Sequence, residues 1–139
     1  MDAVGHLLGA LESPRAIRDY CADKSPSTAE TNALLYDAWA TRNKASFVDA
    51  DEALQRADSY MRQRKSGQRS IAETRRAIAA QFQQEMEKRY SDAEAVAFCN
   101  AYPDFLERKD REFPTKIPQL LGQIFAEEAQ IGFGKSAPN

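Results

Sequence analysis

The sequence predicts an all-α fold, a single-domain bundle of five or six mostly antiparallel helices. Three observations carry this. Ala, Glu, Gln, Arg and Leu dominate, and all are good helix formers. Strand signals are scarce: valines are few, no β-branched run alternates with polar residues, and no Asn-Gly or Asp-Gly turn occurs. Apolar residues recur instead three and four apart, in stretches bounded by serines, prolines and glycine.

Taken in order, residues 3–12 hold Val4, Leu7, Leu8 and Leu11 at helical spacing. Ser13-Pro14 reads as an N-cap and first helical residue, opening a second segment with Ile17, Tyr20 and Cys21 on one face. Ser25-Pro26 breaks that segment, and Ser27 or Thr28 can cap the next helix. This helix carries Leu35 and Trp39 four apart, with Leu34, Tyr36 and Ala38 beside them, and ends near Asn43. Ser46 or Asp49 starts a long helix whose Phe47, Ala50, Leu54, Ala57 and Met61 form the clearest amphipathic stripe in the chain. Ser66-Gly67 ends it.

Two capping boxes follow, in which a serine accepts from the amide three residues on and a glutamate reaches back. Ser70 with Glu73 opens a helix bearing Ile71, Ile78, Phe82 and Met86, and Ser91 with Glu94 opens one bearing Val96, Cys99 and Tyr102. Pro103 kinks or ends the latter, with Phe105 and Leu106 continuing its apolar face. Phe113 to Pro118 reads as a rigid extended link, because a residue before proline avoids the α region. A last helix runs from Pro118 to Ala129. Residues 1–131 thus make one helical domain and 132–139 a frayed C-terminal tail.

At 139 residues, with 42% hydrophobic and 29% charged side chains, the chain has ordinary globular composition and fits one domain. A net charge of −2 does not suggest a globally basic nucleic-acid binder. No apolar run approaches the roughly 20 residues of a membrane span. Met1 to Leu11 has neither the basic start nor the continuous apolar core of a signal peptide, a pattern shared by a cytosolic protein and a processed exported domain.

Chemistry-bearing motifs are sparse. Cys21, Cys99 and His6 are the only cysteines and histidine, too few for a structural zinc site, and no metal or cofactor is expected. Asp49-Ala-Asp51-Glu52 lacks the glycine and twelfth-position glutamate of an EF-hand. Asp104, Glu107, Asp110 and Glu112 are interleaved with Arg108, Lys109 and Arg111, which reads as an ion-paired surface rather than a catalytic carboxylate pair. No phosphate loop, zincin or nucleophile-elbow motif occurs, and no catalytic residue is assigned. Trp39 is expected in the core, and Arg42 and Asn43 at a helix C-terminus are expected to cap carbonyls. Cys21 and Cys99 both fall on inward faces, compatible with a disulfide in an oxidising compartment or with two buried thiols in the cytosol.

The layout Asp19-Tyr20-Cys21, a helix carrying Trp39-Ala-Thr-Arg42-Asn43, and a later Ala97-Phe98-Cys99 resembles small helical proteins exported by Gram-negative bacteria. The resemblance covers about the middle two thirds of the chain. It implies a Cys21–Cys99 disulfide tying an early helix to a late one, and a periplasmic or secreted location. The alternative is a cytoplasmic protein with free thiols. The resemblance brings no catalytic residues.

The most uneven feature is a basic cluster at an expected helix–helix turn. Arg62, Arg64, Lys65, Arg69, Arg75 and Arg76 stand against one acid, Glu73, within residues 62–76. It is read as a solvated turn or as a docking patch for a protein with an acidic surface. No aromatic is interleaved within it and no DNA-binding motif surrounds it, so nucleic acid is not expected. The resulting expectation is an exported protein-binding module, of which an immunity protein neutralising a toxin by contact is one specific form. A periplasmic chaperone-like or stress protein, and a cofactor-free enzyme without a recognisable motif, are the alternatives.

Overall fold

The computed structural model describes the backbone of residues 2–64 and 70–136 and the side chains of 3–60 and 70–130. The chain is a bundle of six helices, with no strand among the described residues. They are α1 (Asp2–Lys24), α2 (Pro26–Arg42), α3 (Lys44–Arg64), α4 (Ile71–Arg89), α5 (Asp92–Asn100) and α6 (Tyr102–Ser136). The expected Ser66-Gly67 turn lies outside the described residues.

Helix α1 organises the rest, because it touches each of the other five. Its composition explains this. Val4, Leu7, Leu8, Leu11, Ile17, Tyr20 and Cys21 are all buried, and so are Ala3, Ala10, Pro14 and Ala16 between them. A helix apolar on more than one side is stable only when neighbours cover it on more than one side.

Two expected breaks are absent, and both involve proline. Ser13-Pro14 lies inside α1 instead of starting a new helix. An interior proline removes one helical hydrogen bond and usually costs about 3 kcal/mol. Here residues on both sides of Pro14 are buried, and α4 is tied to α1 on both sides of it, at Glu12 and Ala16, so breaking the helix would disturb both sets. The Pro14 carbonyl also accepts a 2.7 Å hydrogen bond from the buried Tyr102 hydroxyl. The extended link expected at 113–118 is likewise continuous helix within α6. Pro114 and Pro118 sit on its exposed side, so the carbonyls they leave unpaired can be hydrated, while Leu106, Phe113, Ile117, Leu120 and Ile124 form a continuous buried stripe opposite. Burial of that stripe overrides the local preference of a residue before proline. Helix α6 then runs on to Ser136, past the Gly132 where the sequence predicts a tail.

Other boundaries follow local chemistry closely. Ser25, and not Ser27 or Thr28, is the N-cap of α2, with Pro26 in the first helical position. Asn43 alone separates α2 from α3: its side-chain amide donates to the Trp39 carbonyl at 2.8 Å, the expected cap. The same amide donates to Asp110 of α6 at 3.1 Å, and Arg42 reaches Asp110 at 2.7 Å instead of capping. Ser70 accepts from the Glu73 amide, and at Ser91 both arms of the box with Glu94 are made, each at 3.2 Å. Pro103 falls in the first turn of α6, where its missing N–H costs nothing, after a one-residue break at Ala101.

Trp39 is fully buried and packs edge-on against Phe47 and Phe113, at 5.5 and 4.8 Å between ring centres. Cys21 and Cys99 lie within disulfide distance, their sulfurs 2.11 Å and their Cα atoms 5.4 Å apart.

Candidate functional site

Helix α4 packs chiefly on α1, and a cleft of about 290 Å³ opens between it and the corner where α5 turns into α6. Its floor is Ile17 of α1. The α4 wall is one helical stripe, Phe82, Glu85, Met86 and Arg89, at spacings that place all four on one face. Tyr90, the C-cap of α4, and Phe98 of α5 close one end, stacked at 4.9 Å with their planes 24° apart. Phe105 and Arg108, three apart on α6, form the far wall. Phe82, Tyr90, Phe98 and Phe105 are each only partly buried.

The α5 wall is held by several independent ties, because nine residues make too short a helix to stand alone. The Cys21–Cys99 pair joins it to α1 immediately beside Phe98. The Asn32 amide donates to the Cys99 carbonyl at 3.3 Å from α2. The Ser91–Glu94 box closes its N-terminus, and hydrogen bonding from the Ser91 side chain and then its amide holds the Glu94 carboxyl below its ordinary pKa. Lys24, at the end of α1, reaches Glu87 of α4 at 3.0 Å and Asp92 of α5 at 3.7 Å, and the Glu87 bond raises its pKa. One lysine therefore bridges both sides of the cleft's end.

The mouth carries three charges. Glu85 accepts from Gln81 on its own helix at 3.3 Å. Arg89 and Arg108 are exposed and have no ion pair among the described residues. This contrasts with Arg15, Arg18, Arg42, Arg56 and Arg75, which are all paired. The ion-paired surface expected at 104–112 is thus partly realised: Lys109 pairs with Glu112 at 3.1 Å, lowering the Glu112 pKa, and Asp110 pairs with Arg42, while Arg108 turns to the cleft.

The basic cluster is divided. The side chains of Arg62, Arg64, Lys65 and Arg69 lie outside the described residues. Arg76 is exposed. Arg75 is engaged inside the protein, its Nε 2.6 Å from Oε1 of Glu12 and an Nη 3.6 Å from Asp51. Glu12 is 1% exposed, so Arg75 balances a buried charge, with Arg15 3.1 Å from the other carboxylate oxygen. That second contact is an ion pair without good hydrogen-bond geometry. Removing Arg75 would leave Glu12 poorly compensated, so this side chain has a structural role.

Of the cleft residues, the sequence singles out Ile17, Phe82, Met86 and Phe105, as apolar face positions, and Arg108, as part of an ion-paired surface. Glu85, Arg89, Tyr90 and Phe98 escape it. The available signal was Glu85 and Arg89 within the 82–89 stripe, where a wholly buried face would stay apolar. Among the described residues no group of three or more His, Cys, Asp or Glu side chains is placed to hold a metal ion, and no helix is long and apolar enough to cross a membrane. No protein family matches the chain, and none of the curated proteins or solved structures compared with it matches.

Proposed function

We propose that this chain is an exported, disulfide-braced binding module that acts by direct contact with another protein, and that the contact is made at the aromatic cleft. The observation that supports this best is the cleft's lining. Phe, Tyr, Met and Arg are the residues enriched where protein interfaces concentrate their binding energy, and here four part-buried rings and two exposed arginines surround one concavity with Met86 buried behind them. Half-buried rings gain further apolar burial when a partner side chain enters, at roughly 25 cal/mol per Å². The volume, at the low end of ligand pockets, suits one or two inserted side chains. A covalent tie beside Phe98 keeps that wall ordered before binding, which lowers the entropic cost of association. The location rests on the paired cysteines, since such bonds persist in oxidising compartments. An immunity-type inhibitor of a secreted toxin is the narrower form of this reading, and it shares the same test.

The test is to pan a displayed-peptide library on the oxidised protein and challenge the selected binders with two variants. Phe105→Asp places a charge in the cleft, whereas Leu34→Asp places one on α2, where Leu34 is 64% exposed. Binding should disappear with the first and persist with the second, circular dichroism showing both folded. Binders that ignore Phe105→Asp would move the contact away from the cleft.

A further inference from the structure

We infer that the cleft recognises one large apolar side chain standing beside a single carboxylate on a segment of the partner protein. This rests on the protein-contact reading above and specifies what the partner presents.

The apolar requirement follows from the lining. Ile17, Phe82, Met86, Phe98 and Phe105 offer no hydrogen-bonding side chain and Tyr90 at one end offers a single hydroxyl, so a polar group inserted among the five would lose its water without replacement. The stacked Tyr90 and Phe98 rings, with Phe82 and Phe105 beside them, accept a flat aromatic or a leucine-sized group with good contact.

The carboxylate follows from the mouth. Arg89 comes from α4 and Arg108 from α6, on opposite walls, and neither has an ion pair among the described residues. A guanidinium is a planar donor fork matched to a carboxylate, and two of them facing one opening favour an anion there. Glu85 at the same mouth limits this to one acid, because a second carboxylate would meet its like charge. The acid belongs to a side chain and not to a chain terminus. Terminal carboxylates are captured by free backbone amides, and the lining supplies none: its residues lie within helices, while the Tyr90 amide already donates to the Met86 carbonyl at 3.1 Å.

The experiment uses short blocked peptides, acetylated and amidated, titrated into the intact oxidised protein and followed by amide shifts in nuclear magnetic resonance. The probe holds Phe next to Asp, in either order, between glycines. Comparison peptides replace Asp by Asn, replace Phe by Ala, or carry Phe as a free C-terminal residue. The Phe–Asp probe should shift the amides around Phe82, Phe98 and Phe105. Both the Asn and the Ala peptides should bind at least about fivefold more weakly, and raising salt should narrow the Asp–Asn gap. Arg89→Gln and Arg108→Gln should each shrink that gap, and Arg111→Gln should leave it intact. All three arginines are exposed, so folding is not at stake. Equal affinity for Asp and Asn peptides, or for Phe and Ala peptides, overturns the inference, and so does preference for the free C-terminus. Library binders that map to the cleft but lack an acid also overturn it, while leaving the protein-contact reading standing. Binders that map elsewhere overturn both.

Discussion

Two groups of aromatic rings sit in this bundle, one with a fully buried centre and one without. Tyr36, Trp39, Phe47 and Phe113 meet where α2, α3 and α6 converge; Trp39 and Phe113 at its centre are at most 1% exposed, and Tyr36 and Phe47 flank them partly buried. Phe82, Tyr90, Phe98 and Phe105 surround the cleft, and none is fully covered. The centre of the first group, Trp39 and Phe113, lies within the lengths of α2 and α6, on the faces these helices bury. The second lies at a corner where α4 ends, α5 is short and α6 begins. Ring content therefore does not decide whether aromatics stabilise or stay available; their place along the helices or at a corner where helices end does. Even the sealed group is imperfect, since the Trp39 indole N–H is buried with no hydrogen-bond partner among the described residues. Its packing has to outweigh that loss.

The largest effect should come from the sealed group. Trp39→Ala leaves a cavity among three rings and should cost about 3–5 kcal/mol of stability. Phe105→Ala, starting half-exposed, should cost only about 1 kcal/mol. Urea unfolding of the two variants measures both. Comparable losses would mean that the cleft is a core element and not a surface held open.

The disulfide separates the groups in a second way. Cys99 adjoins Phe98, so the bond anchors the cleft's α5 wall and lies outside the Trp39 cluster. The Cys21→Ala/Cys99→Ala double variant should lose about 2–5 kcal/mol. Below its melting point, hydrogen exchange should quicken first in α5, while Trp39 fluorescence stays at its native wavelength. A Trp39 shift as early as the α5 exchange would show that the two regions open as one unit.

Much of this was legible in the sequence. The helical class, the two serine boxes, Trp39 in the core and the inward cysteines all follow from spacing and local hydrogen-bonding chemistry. The prolines mark where local reading stops. Ser13-Pro14 and Ser25-Pro26 are the same dipeptide, yet the first lies inside α1 and the second starts α2. What separates them is burial on both sides of Pro14, which only the surrounding helices reveal. Phe98 poses the same problem. Its neighbour Cys99 faces inward, so Phe98 points about 100° away, and whether it meets another helix there is a matter of tertiary arrangement. The charged residues of the cleft were hidden for a related reason. Arg89 and Arg108 are far apart in sequence and become a pair only through packing.

The smallest expected effect tests how the open group's wall is capped. Ser91→Ala removes the hydroxyl that accepts from the Glu94 amide and should cost about 1 kcal/mol, or roughly 4 °C in melting temperature. The pH dependence has a definite sign. Hydrogen bonding from Ser91 places the folded Glu94 pKa below its ordinary value of 4.5. A depressed carboxylate pKa contributes stability that is fully present above the unfolded value and lost as pH falls through the folded one. The gap in melting temperature between the parent and Ser91→Ala should therefore be constant from pH 7 down to about 5 and narrow below it. The sealed group contains no carboxylate, so Trp39→Ala should differ from the parent by a similar margin throughout that range. If the Ser91→Ala gap instead stays flat to pH 3, the Glu94 carboxylate arm of the box contributes nothing, and the α5 wall depends on its other ties, the disulfide and Asn32 foremost.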